Sequence, residues 1–191
     1  MASKLFRQQG YKGTSVREIA EHSGLAKATI YHYFPDKEAI VQQLLEQAVS
    51  QFHTVVQTIA EVSEPKVRLR VAVEITITFL HEFSSVIQLV RQELPVRWSQ
   101  IKLDLMPIYE RYLFLLSQAI EQGIQAGEFR LVNSREAAVV LMNLIHGTYA
   151  ASYIGGLTDD LLRSNTDSML DIFLNGIITQ EQHDGVRDRK W

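Results

Sequence analysis

Residues 15–41, SVREIAEHSGLAKATIYHYFPDKEAIV, constrain the fold more than any other part of the chain. Ser15 with Glu18 three residues later is a capping box, so the spacing predicts a helix over 16–22 with Val16, Ile19 and Ala20 facing inward. Ser23-Gly24-Leu25 makes a turn. A second helix is predicted over 26–34, where Pro35-Asp36 break it. Two helices joined by three or four residues meet at a steep angle. Close approach there requires a small residue on the first helix, Ala20, and the turn requires one that accepts positive φ, Gly24. An aliphatic from the second helix must plug the angle, and Ile30 occupies that place. At about 100° per residue, Ile30 and Phe34 share one face of the second helix while Ala28, Tyr31 and His32 point the other way. This is a helix-turn-helix layout, which presents its second helix to a major groove of DNA.

The rest of the chain reads as helix. Its four prolines and ten glycines fall mainly between apolar runs of ten or more residues, which leaves little room for short strands. The pattern predicts a short helix carrying Ala2, Leu5 and Phe6 and stopping at Gly10, and a long helix over 37–62. Further helices are expected from Pro65 to about 83, from Ser84-Ser85 to Pro95, over 101–126, from Asn133 to about 154, and over 166–178. The tail HDGVRDRKW is expected to fray. With no cysteine there is no disulfide and no thiolate chemistry. The opening MASKLFRQQG lacks a signal-peptide core, and no apolar run is expected to reach the roughly twenty residues of a membrane span, so a cytoplasmic protein is expected. Charge is unevenly placed. Residues 1–34 hold five basic and two acidic side chains, a net +3, which leaves −6 on the other 157 residues of a chain whose total is −3. A basic head on an acidic body suits a polyanion partner.

The run LFRQQGYKGTSVREIAEHSGLAKATIYHYFPDKEAIV resembles the DNA-binding head of the tetracycline-repressor (TetR) family of transcriptional regulators, most tellingly in its ending TIYHYFPDKEAIV. The resemblance covers about residues 2–45. It implies an all-α chain with an amino-terminal three-helix head over 1–45, followed by a larger helical effector-binding and dimerisation body over 46–191. It also implies that Arg17, Lys27, Ala28, Tyr31 and His32 reach base edges, and that Thr14, Ser15, Thr29, Tyr33 and Lys37 contact phosphate. The chemistry agrees with this division: a guanidinium can donate two bonds to guanine, whereas tyrosine and lysine offer single donors to phosphate oxygens. Two departures stand out. Ala26 replaces the serine that often caps the third helix, at a cost of about 1 kcal/mol. Only Met1 to Lys4 precede Leu5-Phe6, where the family's first helix starts about two turns earlier behind a basic arm, so this helix is expected to be short and the least protected of the head.

In the body, the predicted helix after Asn133 carries two adjacent apolar stripes, Ala137, Val140, Leu141, Leu144 and Thr148 beside Ala138, Met142, Ile145 and Tyr149. The last helix adds Met169, Leu170, Phe173, Leu174 and Ile177. A helix this apolar around its girth is buried on more than one side. In the resembled family the last two long helices pair with their copies, so Val140, Leu141, Leu144, Thr148, Met169, Leu170, Phe173, Leu174 and Ile177 are expected at a twofold homodimer interface. The family's effector cavity implies a lining of Phe79, Leu80, Leu89, Leu105, Leu113 and Leu116 with Arg91, Trp98, Tyr109, Tyr112 and His146 as polar or aromatic members. The acidic body favours neutral or cationic effectors. The six histidines are scattered, without HExxH, GxSxG or a phosphate-cradling glycine loop, so no enzyme activity, cofactor or metal is expected. The expected function is a ligand-responsive repressor that leaves a near-palindromic double-stranded operator when a small, largely apolar effector binds. The alternative is a helical small-molecule-binding protein or enzyme with a degenerate head.

Overall fold

The computed structural model describes residues 1–155 and 159–177; their regular elements are helices joined by short turns and loops, with no strand among the described residues. The order is α1 (Ala2–Gly13), α2 (Val16–Ser23), α3 (Lys27–Tyr33), α4 (Lys37–Glu61), α5 (Pro65–Glu93), α6 (Pro95–Gln125), α7 (Ser134–Gly155) and α8 (Asp159–Ile177). The tail over 183–191 lies outside the described residues.

Three helix boundaries differ from expectation. Gly10 does leave helical geometry, at φ 73° and ψ 172°, but the chain resumes a helical turn to Gly13, so the stop is a kink. Ser84-Ser85 do not begin a new helix, because α5 runs unbroken to Glu93. Serine is only mildly unfavourable inside a helix, and flanking buried Phe83, Val86 and Leu89 hold the turn. Pro95 opens α6 instead of merely closing its predecessor, as suits a residue with fixed φ and no N–H to satisfy, and Pro107 lies inside that helix. α5 is also long and apolar enough, by length and composition, to cross a membrane, contrary to the sequence reading; half of that window is buried within the protein. Inward Leu69, Val73, Val86 and Val90 account for its apolar character.

The contacts divide the chain into two compact units that differ from a split at residue 45. One comprises 1–56 and 78–109, the other 57–77 and 110–191. In the first, a single apolar cluster joins Leu5 and Phe6 of α1, Val16, Ile19 and Ala20 of α2, Ile30 of α3, Ile40, Val41 and Leu45 of α4, and Val86, Leu89 and Val90 of α5. At roughly 1.5–3 kcal/mol for each large aliphatic or aromatic side chain removed from water, this cluster holds the helix-turn-helix on a helical base. The short α1 and α3 would be marginal by themselves.

The second unit is centred on Tyr112, Leu116, Ile120, Leu141 and Ile145, which are essentially inaccessible. Tyr112 satisfies its buried hydroxyl with Thr76 Oγ1 at 2.9 Å. Arg68, buried, donates to the Val62 carbonyl at 2.5 Å just beyond α4 and to Gln118 at 3.2 Å. A guanidinium at a helix carboxyl end meets both the free carbonyl and the negative end of the dipole.

Candidate nucleic-acid interface

The turn between α2 and α3 is built by local chemistry. Ser15 Oγ accepts from the Glu18 N–H at 3.1 Å, and the Ser15 N–H donates to Glu18 Oε2 at 2.8 Å, closing the predicted capping box. These hydrogen bonds to Ser15 hold the Glu18 carboxyl below the usual range. Gly24 takes left-handed φ 66° and ψ 22°, and the Leu25 N–H reaches back to the Ala20 carbonyl at 3.0 Å. That pattern satisfies the last carbonyls of α2 and reverses the chain. Ala20 and Ile30 are both buried in the angle, as the spacing required.

On α3 only Ile30 is buried. Lys27, Ala28, Thr29, Tyr31, His32 and Tyr33 are exposed together, with Tyr31 at 43% and Tyr33 at 70%. Both tyrosines therefore keep much of their surface outside the core of the head. Lys27 Nζ lies 5.5 Å from the Tyr31 ring centroid, and the His32 and Tyr33 rings meet edge to face at 5.1 Å. The result is a cationic, aromatic and hydrogen-bonding ridge. Arg17 is also exposed, its Nε donating to Glu21 Oε1 at 2.8 Å, a bond that raises its already high pKa and leaves the guanidinium's terminal nitrogens unengaged by Glu21. α3 has no side-chain cap, since Ala26 stands at its N-cap.

Three residues expected at phosphate have other work. Thr14 is 1% exposed and donates its hydroxyl to the Gly10 carbonyl at 2.8 Å, satisfying a group freed by the kink in α1. The Ser15 hydroxyl is engaged by Glu18. Lys37 Nζ donates to the carbonyls of Tyr11, at 2.5 Å, and Thr14, at 2.8 Å, and lies 4.2 Å from the Tyr11 ring centroid. These bonds span more than twenty residues, beyond the reach of spacing rules. Burial raises the pKa of Tyr11, and Glu38, Asp36 and Glu93 add to it. Ion pairs join Lys12 to Glu93 at 3.7 Å and Arg97 to Glu38 at 3.0 Å, neither visible in the sequence pattern.

The other expected sites are only partly assembled. Leu89 lies in the apolar cluster that α1 to α5 share, and Trp98 packs against that cluster. Phe79 stacks on Phe52 at 5.2 Å, and buried Leu80 follows it on α5. Tyr112, Leu113 and Leu116 are buried in the second unit, Leu105 and Tyr109 are half-buried, and Arg91 and His146 are exposed. Among the expected interface residues, Val140 and Leu144 are exposed and Thr148 half-buried. Leu141, Met169, Leu170, Phe173, Leu174 and Ile177 are instead buried within one copy, because α7 and α8 pack on each other. Ile172 on α8 is 72% exposed and falls outside the stripe the sequence pattern picks out.

Residues 1–44 match the profile of bacterial regulatory proteins, tetR family. Over 181 residues, 92% of this chain and 91% of the relative, the sequence is 27% identical to a fatty acid metabolism regulator protein of Bacillus subtilis. The fold is shared with PfmR, a TetR family transcriptional regulator of Thermus thermophilus, at 25% identity and a TM-score of 0.66 over 89% of this chain and 94% of that one. It is shared also with the Bacillus subtilis regulator FadR in complex with stearoyl-CoA, at 24% identity and a TM-score of 0.60 over 92% and 95% of the two chains. Residues 1–44 are thus matched in sequence by the tetR family profile, and nearly the whole length is matched in fold by TetR family transcriptional regulators.

Proposed function

We propose that this protein is a homodimeric, ligand-responsive repressor, with residues 1–45 as its DNA-binding part and 46–191 as its effector-binding and dimerisation part. The observation that carries the reading is the α3 ridge, where Lys27, Tyr31, His32 and Tyr33 are exposed around a single buried anchor, Ile30. Two such ridges about one helical turn of DNA apart would read a near-palindromic operator. Exposed Val140, Leu144 and Ile172 offer the apolar surface for pairing of two copies.

The effector is taken to be a long-chain fatty acyl group carried as a thioester. Support comes from the nearly full-length similarity to a fatty acid metabolism regulator and from the stearoyl-CoA complex of a protein with the same fold. An acyl chain meets the expectation of a largely apolar effector. Its nucleotide carrier, being anionic, departs from the preference expected of an acidic body. Binding need only favour a dimer whose heads no longer fit consecutive major grooves. A shift from 1:99 to 99:1 requires about 5.5 kcal/mol of differential affinity.

The test uses the full chain. Selection from a random duplex pool yields the operator, and its affinity is then measured with stearoyl-CoA, free stearate or coenzyme A alone. Release by stearoyl-CoA but not by coenzyme A is expected. Absence of any selected sequence would overturn the DNA reading, and indifference to both acyl ligands would overturn the effector reading.

A further inference from the structure

The charges of α2 run against the helix that carries them. Arg17 lies in its first turn and Glu21 in its last, whereas a helix dipole favours an acid at the start and a base at the end. Their i, i+4 pair, with Arg17 Nε donating to Glu21 Oε1 at 2.8 Å, also stands in the weaker of its two orders. Both side chains are largely open to water, at 75% and 57%, where such a pair adds little to stability. Glu21 is equally ill suited to a surface that meets DNA. It and Glu18 are the two carboxylates of residues 1–34, and Glu18 is taken up by the cap with Ser15. Among the described residues the Glu21 carboxylate has one partner, Arg17. Folding gains little from this charge, and phosphate binding loses by it.

What the carboxylate does is fix the guanidinium. An exposed arginine samples many rotamers, and a freely swinging fork meets a phosphate as readily as a base edge. Phosphate carries no sequence information. With Nε held one turn further along α2, the stem is committed to the helix surface and the two terminal nitrogens are left as a planar pair of donors. That pair matches O6 and N7 of guanine. The negative charge beside it repels phosphate oxygens and so disfavours the competing, sequence-blind contact.

We infer that Glu21 is a positioning residue that sets specificity, giving up affinity for DNA in general so that Arg17 is held for one base pair. The inference rests on the DNA-binding reading proposed above and extends it to a residue that itself touches no base.

The experiment uses the full chain, its selected operator and the set of single-base-pair variants of that operator. Arg17→Ala identifies the base pair at which Arg17 acts. Glu21→Ala should then reduce preference at that same pair about two- to fivefold and leave the other pairs unchanged. It should also raise affinity for unrelated duplex about twofold at 50 mM salt, and by less at 200 mM, because one negative charge is gone. Glu21→Gln retains an oxygen acceptor for Nε, so it should show the same general gain while keeping most of the preference. In the Arg17→Ala background, Glu21→Ala should change preference no further. Circular dichroism establishes that each variant is folded, and both residues are exposed.

A folded Glu21→Ala protein with unchanged preference would overturn the inference. So would a uniform loss of affinity on every sequence, which is what a merely structural role in α2 produces, or a loss of preference that persists without Arg17. Failure of the DNA-binding reading itself is seen separately, in the parent chain, as the absence of any selected operator.

Discussion

Replacement of Lys37 by methionine separates two roles that a lysine at this position can have. Methionine keeps an apolar stem of similar length and removes only the ammonium. In the structure that ammonium bonds the carbonyls of Tyr11 and Thr14 and lies over the Tyr11 ring. A hydrogen bond to a charged group contributes about 1.5–3 kcal/mol, and a cation over an aromatic face about 0.5–1 kcal/mol at an exposed site. Lys37 is only partly buried, so water recovers much of each bond when the ammonium is lost. A net loss of roughly 2 kcal/mol follows, a fall in melting temperature of about 4–8 °C for a chain of this size. Arginine should restore part of it, since its fork can also donate to two carbonyls. If Lys37 acts through α1 in this way, operator affinity falls while its dependence on salt concentration stays the same. Calorimetric melting and operator titration from 50 to 200 mM salt measure the two quantities. An unchanged melting temperature with a salt slope reduced by about 0.9 would refute the reasoning and return Lys37 to the phosphate backbone.

Further outcomes follow from single contacts. Arg17→Ala should cost about 1–3 kcal/mol on the selected operator and relax preference at one base pair; equal losses on every sequence by competition binding would contradict base contact. Ala26→Ser should stabilise the chain by about 1 kcal/mol in urea unfolding, because the N-cap of α3 already has extended geometry, φ −63° and ψ 140°, and lacks a side-chain acceptor. The Glu18 carboxyl is depressed when folded, so its contribution is intact above the ordinary carboxylate range and lost as pH falls through the lowered value. Glu18→Gln should therefore lower the melting temperature at neutral pH and converge with the parent in acid. Gly123→Ala should destabilise the second unit by about 1–3 kcal/mol in urea, since the new methyl would lie 2.2 Å from a ring carbon of Phe129, which is itself buried.

The parts of this protein legible in its sequence are those governed by neighbours a few residues apart. Ser15 and Glu18 cap α2 across one turn, Gly24 reverses the chain within five residues, and the opposition of Ile30 to Tyr31 and His32 follows from helical period alone. Where the deciding partner is remote, local rules fail. Thr14 resembles an exposed donor until the kink at Gly10 turns a carbonyl toward it, and Lys37 resembles a free cation until α1 brings Tyr11 beneath it. The ambiguity on α7 was of another kind. Its apolar residues nearly encircle the helix, so the helical period put Val140 and Leu141 together at the expected interface. Packing of α8 against α7 separates them: Leu141 is closed to solvent and Val140 left at 52%. Since a second copy can bury only what the first leaves open, charge placed at Leu141 or Phe173 would unfold the protomer before it reported on pairing. Val140→Asp with Ile172→Asp is the discriminating change. It should yield a folded monomer by sedimentation with unaltered helicity, and a folded dimer carrying both aspartates would place the interface on another face.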